Sequence, residues 1–191
     1  MQSQSQAGNV NLPNVLSFVR IAAAPALVVM LLFAPSQTMS IVTAAVFSAV
    51  CATDWLDGYL ARKRASVTAL GQFLDPVADK ILITTVLIML IPLGRVPAWM
   101  IAVIISREIA VTGLRAAASN AGLVIPASNL GKYKTFAQVS SITALLIHYE
   151  FFGIDFHLVG MALFAAAFIL TVWSGLDYFI GFFRAYLSPR A

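Results

Sequence analysis

Charge is scarce in this chain. Only 10% of its 191 residues are Asp, Glu, Lys or Arg, against 60% hydrophobic. An ordinary soluble domain keeps about a quarter of its residues charged, so that class is excluded. A single cysteine, Cys51, excludes an internal disulfide and reads as a small buried residue. Also missing are an internal repeat, a low-complexity tract, a long linker and room for a separate soluble domain. The opening "MQSQSQAGNVNLPN" has no basic run and no small-residue cleavage site before the first apolar stretch. That stretch therefore reads as a retained helix and not as a removed signal.

What is present in quantity is apolar sequence. Runs of about 20 such residues predict six membrane-spanning helices, over residues 14–33, 41–60, 67–93, 98–118, 131–149 and 156–186. The expected architecture is an all-α integral membrane protein. It comprises a polar N-terminal segment (1–13), one six-helix transmembrane domain (14–187) and a short tail (188–191). Lys and Arg beside spans are retained in the cytoplasm. With both ends inside, that side receives Arg62, Lys63, Arg64, Arg115, Lys132, Lys134, Arg184 and Arg190. The outer loops hold only Arg95 with the acids Glu150 and Asp155. Net charge of +4 follows from this topology, and nothing in it calls for nucleic acid.

Against that background, "DWLDGYLARKRASVTALGQFLDPVAD" gathers four aspartates and three consecutive basic residues between two apolar stretches. Asp54 and Asp57 are three residues apart with Ala61 four later, which puts them on one helix face. Gly71, Asp75 and Asp79 recur every four residues on the next helix, provided that helix continues, kinked, through Pro76. Gly58 and Gly71 lack a Cβ on or beside these stripes, so a ligand or an opposing backbone can come close. At 1.5 Å per residue from the helix ends, Asp54, Asp75 and Arg107 all lie about 12 Å deep. Each aspartate near a span's centre costs roughly 2.5 to 3.5 kcal/mol, so something cationic must offset the set. Oxygen ligands without His or Cys suit hard divalent cations such as Mg²⁺ or Mn²⁺, and two such ions sharing carboxylates are a reasonable load. A solvated helix end explains either pair alone but not both at this spacing.

Asp54, Asp57, Gly58, Ala61, Arg62, Gly71, Asp75 and Asp79 resemble the signature of the CDP-alcohol phosphatidyltransferase family in every identity and interval. The resemblance implies six transmembrane helices, a divalent-metal site at the cytoplasmic surface and a homodimer. It also implies transfer of a phosphatidyl or related group from a CDP-linked donor to an alcohol, with release of CMP. Flanking stretches, "NLPNVLSFVRIAAAP", "FLDPVADK", "SREIAVTGLR" and "GKYKTFAQ", are similar to the bacterial branch that joins CDP-diacylglycerol to glycerol 3-phosphate. The implied setting is the bacterial inner membrane. Other family acceptors, such as inositol phosphate, serine or phosphatidylglycerol, form the alternative. A divalent-cation carrier is a more distant one.

By the same resemblance Asp54, Asp57, Asp75 and Asp79 are metal ligands, and Asp79 is also the general base for the acceptor hydroxyl. Gly58, Ala61, Arg62 and Gly71 fall to the CDP-linked donor, although close helix packing also accounts for Gly58 and Ala61. A phosphorylated acceptor needs further cations. Arg107 inside a span is the sharpest candidate, joined by Arg115, Lys132 and Lys134 and then by Arg20 and Lys80. Lys132 suits a lipid phosphate or simple topology equally well. Lys134, Gln138 and Ser141 form one stripe expected to point inward, and Glu108 can pair with Arg115. His148 and His157 read as interface residues of the outer loop, and Trp99 as part of an aromatic belt. Asp177, beside Ser174 and Gly175, is expected to make a helix-packing hydrogen bond.

Overall fold

The computed structural model describes residues 12–33, 36–64, 69–120 and 130–187, with side chains described at 15, 17–33, 36–53, 77–120 and 133–187. These form six α-helices and one short hairpin: α1 Leu12–Leu32, α2 Gln37–Arg64, α3 Ala69–Leu90, α4 Ala98–Asn120, α5 Leu130–Ile147, β1 Glu150–Phe151, β2 Ile154–Asp155 and α6 Phe156–Leu187. Each expected helix is present. α2 runs on to Arg64 instead of ending near residue 60, because Arg and Lys are good helix formers and their charge suits a helix C-terminus. α3 is continuous through Pro76, as the four-residue spacing of its aspartates requires.

Boundaries follow from local chemistry. Ser36 caps α2, its hydroxyl accepting from the Met39 amide (3.4 Å). α3 stops at Leu90, short of the expected residue 93. Gly94 there turns into the left-handed region (φ 67°), and the Arg95 amide donates back to the Leu90 carbonyl (3.1 Å). α5 ends on His148, also left-handed (φ 63°), whose amide donates to Ala144. The hairpin, which hydrophobicity alone does not announce, pairs Glu150 with Asp155 and Phe151 with Ile154 around Phe152 and Gly153, both at positive φ. Asp155 then opens α6, its Oδ1 accepting from the amides of His157 (2.9 Å) and Leu158 (3.1 Å).

The chain divides into two compact units, residues 1–86 and 87–191. In the first, α1 packs on α2, and Leu27 and Phe47 are fully buried. In the second, α6 packs on both α5 and α4, with Ile142, Leu145, Leu146 and Phe164 fully buried. Contact between α5 and α6 is close because Gly160 has no side chain: a Cβ there would lie 2.9 Å from the backbone nitrogen of Leu145. Arg95, expected as a plain loop cation, is instead buried and donates to the carbonyls of Leu145 (3.1 Å) and Leu146 (2.7 Å), closing the C-terminus of α5. Among the described residues, α6 is the one helix both long and apolar enough to cross a membrane on those criteria alone.

Candidate active site

The aspartate signature rests on α2 and α3. Positions 54, 57 and 61 occupy one face of α2, and positions 71, 75 and 79 one face of α3, because both helices are unbroken there. The side chains of Asp54, Asp57, Gly58, Ala61, Arg62, Gly71 and Asp75, and that of Lys132 at the start of α5, lie outside the described residues. Asp79 is described. Its Oδ1 accepts from Nη1 of Arg20, which comes from α1 and is buried, whereas the Asp79 side chain is 48% exposed. A buried guanidinium needs a partner of opposite charge, and Asp79 supplies one while keeping half its surface open. Arg20, expected beside a substrate phosphate, thus directs a donor to the proposed base, and Lys80 beside it is half-buried. Among the described residues no three His, Cys, Asp or Glu side chains gather, three of the four signature aspartates lying outside that set.

The second unit holds a separate polar cluster. Arg107 on α4 donates from Nη1 to Oε1 of Glu108 (3.0 Å) and from Nη2 to Oγ of Ser174 on α6 (2.8 Å). Lys134 on α5 donates to the same Glu108 Oε1. Lys134, Gln138 and Ser141 are all buried, so the inward stripe expected on α5 is present. Gly175 gives Arg107 its space: a Cβ there would lie 2.9 Å from Cγ and 3.0 Å from Nε of the arginine.

Two expectations change. Glu108 does not pair with Arg115, because seven residues separate them by about 10 Å along the helix, and Arg107 and Lys134 are nearer. Arg115 is exposed, with its guanidinium over the Tyr178 ring at 5.7 Å. Asp177 makes no packing hydrogen bond among the described residues and is exposed, since helix rotation turns its neighbours Ser174 and Gly175 inward instead. Those two contacts to Arg107 escaped sequence reasoning. The available signal was a small polar residue and a glycine on the same helix face as Gly160, Ala167 and Thr171.

At the turn between α5 and α6, Nδ1 of His148 and Nδ1 of His157 are 3.2 Å apart, and Trp99 is exposed against Phe168. Burial, then the Arg95 charge and His157, hold the His148 pKa below its ordinary value, with Asp155 opposing.

The family model for CDP-alcohol phosphatidyltransferases matches residues 10–173. The chain belongs to the CDP-alcohol phosphatidyltransferase family. A Bacillus subtilis relative named CDP-diacylglycerol–glycerol-3-phosphate 3-phosphatidyltransferase is 43% identical over 182 residues, 88% of this chain and 93% of its own. A Mycobacterium tuberculosis protein named probable phosphatidylglycerophosphate synthase is 38% identical over 93% of this chain and 84% of its own. A Rickettsia bellii relative with the same name as the Bacillus protein is 36% identical over 88% of this chain and 93% of its own. All eight positions of the family signature, and the cluster from Arg107 to Lys134, fall inside the stretch matched to the CDP-alcohol phosphatidyltransferase model; Ser174 and Gly175 follow immediately after it.

Proposed function

We propose that the chain transfers a phosphatidyl group from CDP-diacylglycerol to glycerol 3-phosphate, giving phosphatidylglycerol phosphate and CMP. The observation that carries this reading is a complete aspartate signature on two unbroken helices, in a chain similar over most of its length to relatives named for that reaction.

The reaction needs a hydroxyl made nucleophilic, a bound acceptor phosphate and a neutralised pyrophosphate. Asp79 takes the hydroxyl proton on a carboxylate oxygen. Arg20 orients that carboxylate from a buried position. Arg107 and Lys134, with Arg115, Lys132 and Lys80, bind the phosphate of the acceptor; a guanidinium presents paired donors to such a group. Gly58, Ala61, Arg62 and Gly71 receive the cytidine end of the donor, where the bare backbone of two glycines allows close approach. The donor set suits hard divalent cations, being all carboxylate on two consecutive helices of the chain, and Asp79, the one member described, is half open. Asp54, Asp57, Asp75 and Asp79 would hold Mg²⁺ or Mn²⁺, in all two ions, which would supply neutralisation of the pyrophosphate and of the leaving oxygen.

All six helices span the bacterial cytoplasmic membrane in this reading, with the aspartates toward the cytoplasm and two copies forming a dimer. Length supports it. At 1.5 Å per residue the shortest, α5, measures about 27 Å and α2 about 42 Å, against a hydrocarbon core of about 30 Å. Large apolar side chains exposed along α1 (Phe18, Val29) and α6 (Ile169, Trp173) are the surface expected to face lipid.

The test is purified protein with CDP-diacylglycerol, Mg²⁺ and a panel of alcohols, following CMP release. Glycerol 3-phosphate is expected to react and a chelator to stop it. Selective use of inositol phosphate, serine or phosphatidylglycerol would overturn the acceptor assignment, and metal flux without CMP release would overturn the enzymatic one.

A further inference from the structure

We propose that His148 and His157 form a binding site for a divalent ion of the Zn²⁺ class, held between their two Nδ1 atoms, and that this ion clips the turn between α5 and α6. The site differs from the aspartate signature in ligand type and from the Arg107 cluster in place. Positions 157 and 174 are about 26 Å apart along α6.

Backbone geometry holds both rings. His148 follows the end of α5 in the left-handed region (φ 63°), and its amide donates to the Ala144 carbonyl (3.0 Å). His157 lies in the first turn of α6, where its amide donates to Oδ1 of Asp155 (2.9 Å). The hairpin between these two points brings the rings edge to face, with centroids 4.8 Å apart and planes at 80°. Their Nδ1 atoms meet at 3.2 Å, and among the described residues no other hydrogen bond to either ring is present.

That separation suits chelation. A tetrahedral Zn²⁺ holds imidazole nitrogens at about 2.0 to 2.1 Å, so two nitrogens 3.2 Å apart subtend about 100 to 106° at the ion, close to the tetrahedral angle. Imidazole suits Zn²⁺, Cu²⁺ and Ni²⁺, whereas carboxylate suits Mg²⁺. A ring must be neutral to act as ligand, and burial, then Arg95 and His157, favour the neutral form of His148, with Asp155 opposing. The charges at the turn also favour a cation. Glu150 and Asp155 are paired across the hairpin and exposed, whereas Arg95 directs its guanidinium to the carbonyls of Leu145 and Leu146. Solvent water can complete the coordination at this exposed hairpin.

The experiment equilibrates the purified full-length protein in detergent with Zn²⁺ under excess Mg²⁺ and counts bound zinc per chain. Wild type is compared with His148→Asn and His157→Gln, each checked for its helices by far-ultraviolet circular dichroism; asparagine tolerates the left-handed backbone. Each variant is expected to bind about one Zn²⁺ per chain fewer than wild type, since any zinc held by the aspartates is common to all three. At ten times the zinc concentration that half-fills the site, wild type should gain about 3 to 6 °C in Tm over either variant. Equal zinc counts in the three proteins would leave the pair a hydrogen bond between rings and overturn the proposal. A loss confined to one of two folded variants would overturn shared ligation. Should one variant not fold, the other decides. Should neither fold, X-ray absorption of zinc-loaded wild type decides: imidazole scattering is expected, and oxygen ligands alone would overturn the site.

Discussion

At position 79 a half-open carboxylate accepts a hydrogen bond from a buried guanidinium of α1. Asp79→Asn keeps the shape and an oxygen for Arg20 but cannot accept the substrate proton. CMP release should fall by about 10² to 10⁴, the usual contribution of a general base, while the far-ultraviolet circular dichroism stays that of wild type. Retained full activity would remove Asp79 as the base. His148 carries a prediction of opposite character, about stability. Burial, Arg95 and His157 hold its pKa below the ordinary imidazole value of about 6.5. Above that value both folded and unfolded chains have it neutral. As pH falls below 6.5 the unfolded chain takes up the proton first, so the fold loses stability down to the folded pKa. Tm should drop between pH 7.5 and 5.5, and His148→Gln should flatten that slope. Both residues were visible in the sequence, one as part of a signature and one as a loop histidine. The charges that act on them were not, because Arg20 reaches Asp79 and Arg95 comes near His148 from segments far apart in the chain.

Individual elements were the most legible scale. Apolar runs of about the right length located every helix, because burial of apolar surface and backbone hydrogen bonding act on contiguous residues. Ends were less legible where capping decided them. Gly94 cut α3 short, and the basic run carried α2 to Arg64. The hairpin between α5 and α6 was missed, since two two-residue strands have too few residues to show alternation. Contact between helices was not legible at all, although its device, Gly160, was in plain view. A Cβ at that position meets backbone as well as side chain of Leu145, and backbone cannot rotate away. Gly160→Ala should therefore destabilise α5 against α6 by about 1 to 3 kcal/mol, the cost of overpacking a filled interface. A thermal melt in detergent would register this as a lowered Tm, and an unchanged Tm would mean that the two helices separate more easily than their packing implies.

For the molecule as a whole, the family and the helices were legible in the sequence, whereas its basic residues were read both as a topology signal and as candidate phosphate ligands. The structure divides them by job. Arg95 closes a helix end, Arg20 serves Asp79, Arg107 and Lys134 share Glu108, and Arg115 lies on an aromatic ring. Spacing cannot distinguish these roles, since each depends on what another helix presents.

One buried stripe on α6 ties two of these jobs together: Gly160, Phe164, Ala167, Thr171, Ser174 and Gly175 follow a single line along the helix. Its upper end is locked to Leu145, and its lower end carries the two residues that touch Arg107. The helix thus behaves as a keyed shaft, whose angular setting at one end fixes what is offered at the other. Inserting a single alanine between Phe168 and Ile169 would leave the keyed end in place and turn the far end by about 100°. Such a protein should still assemble its α5–α6 pair, measurable by a disulfide engineered across the upper part, yet show a weakened hold on glycerol 3-phosphate. Deleting the residue that precedes Ser174 in the same chain would restore the angle, and recovered affinity would show that rotation, not length, was the cause.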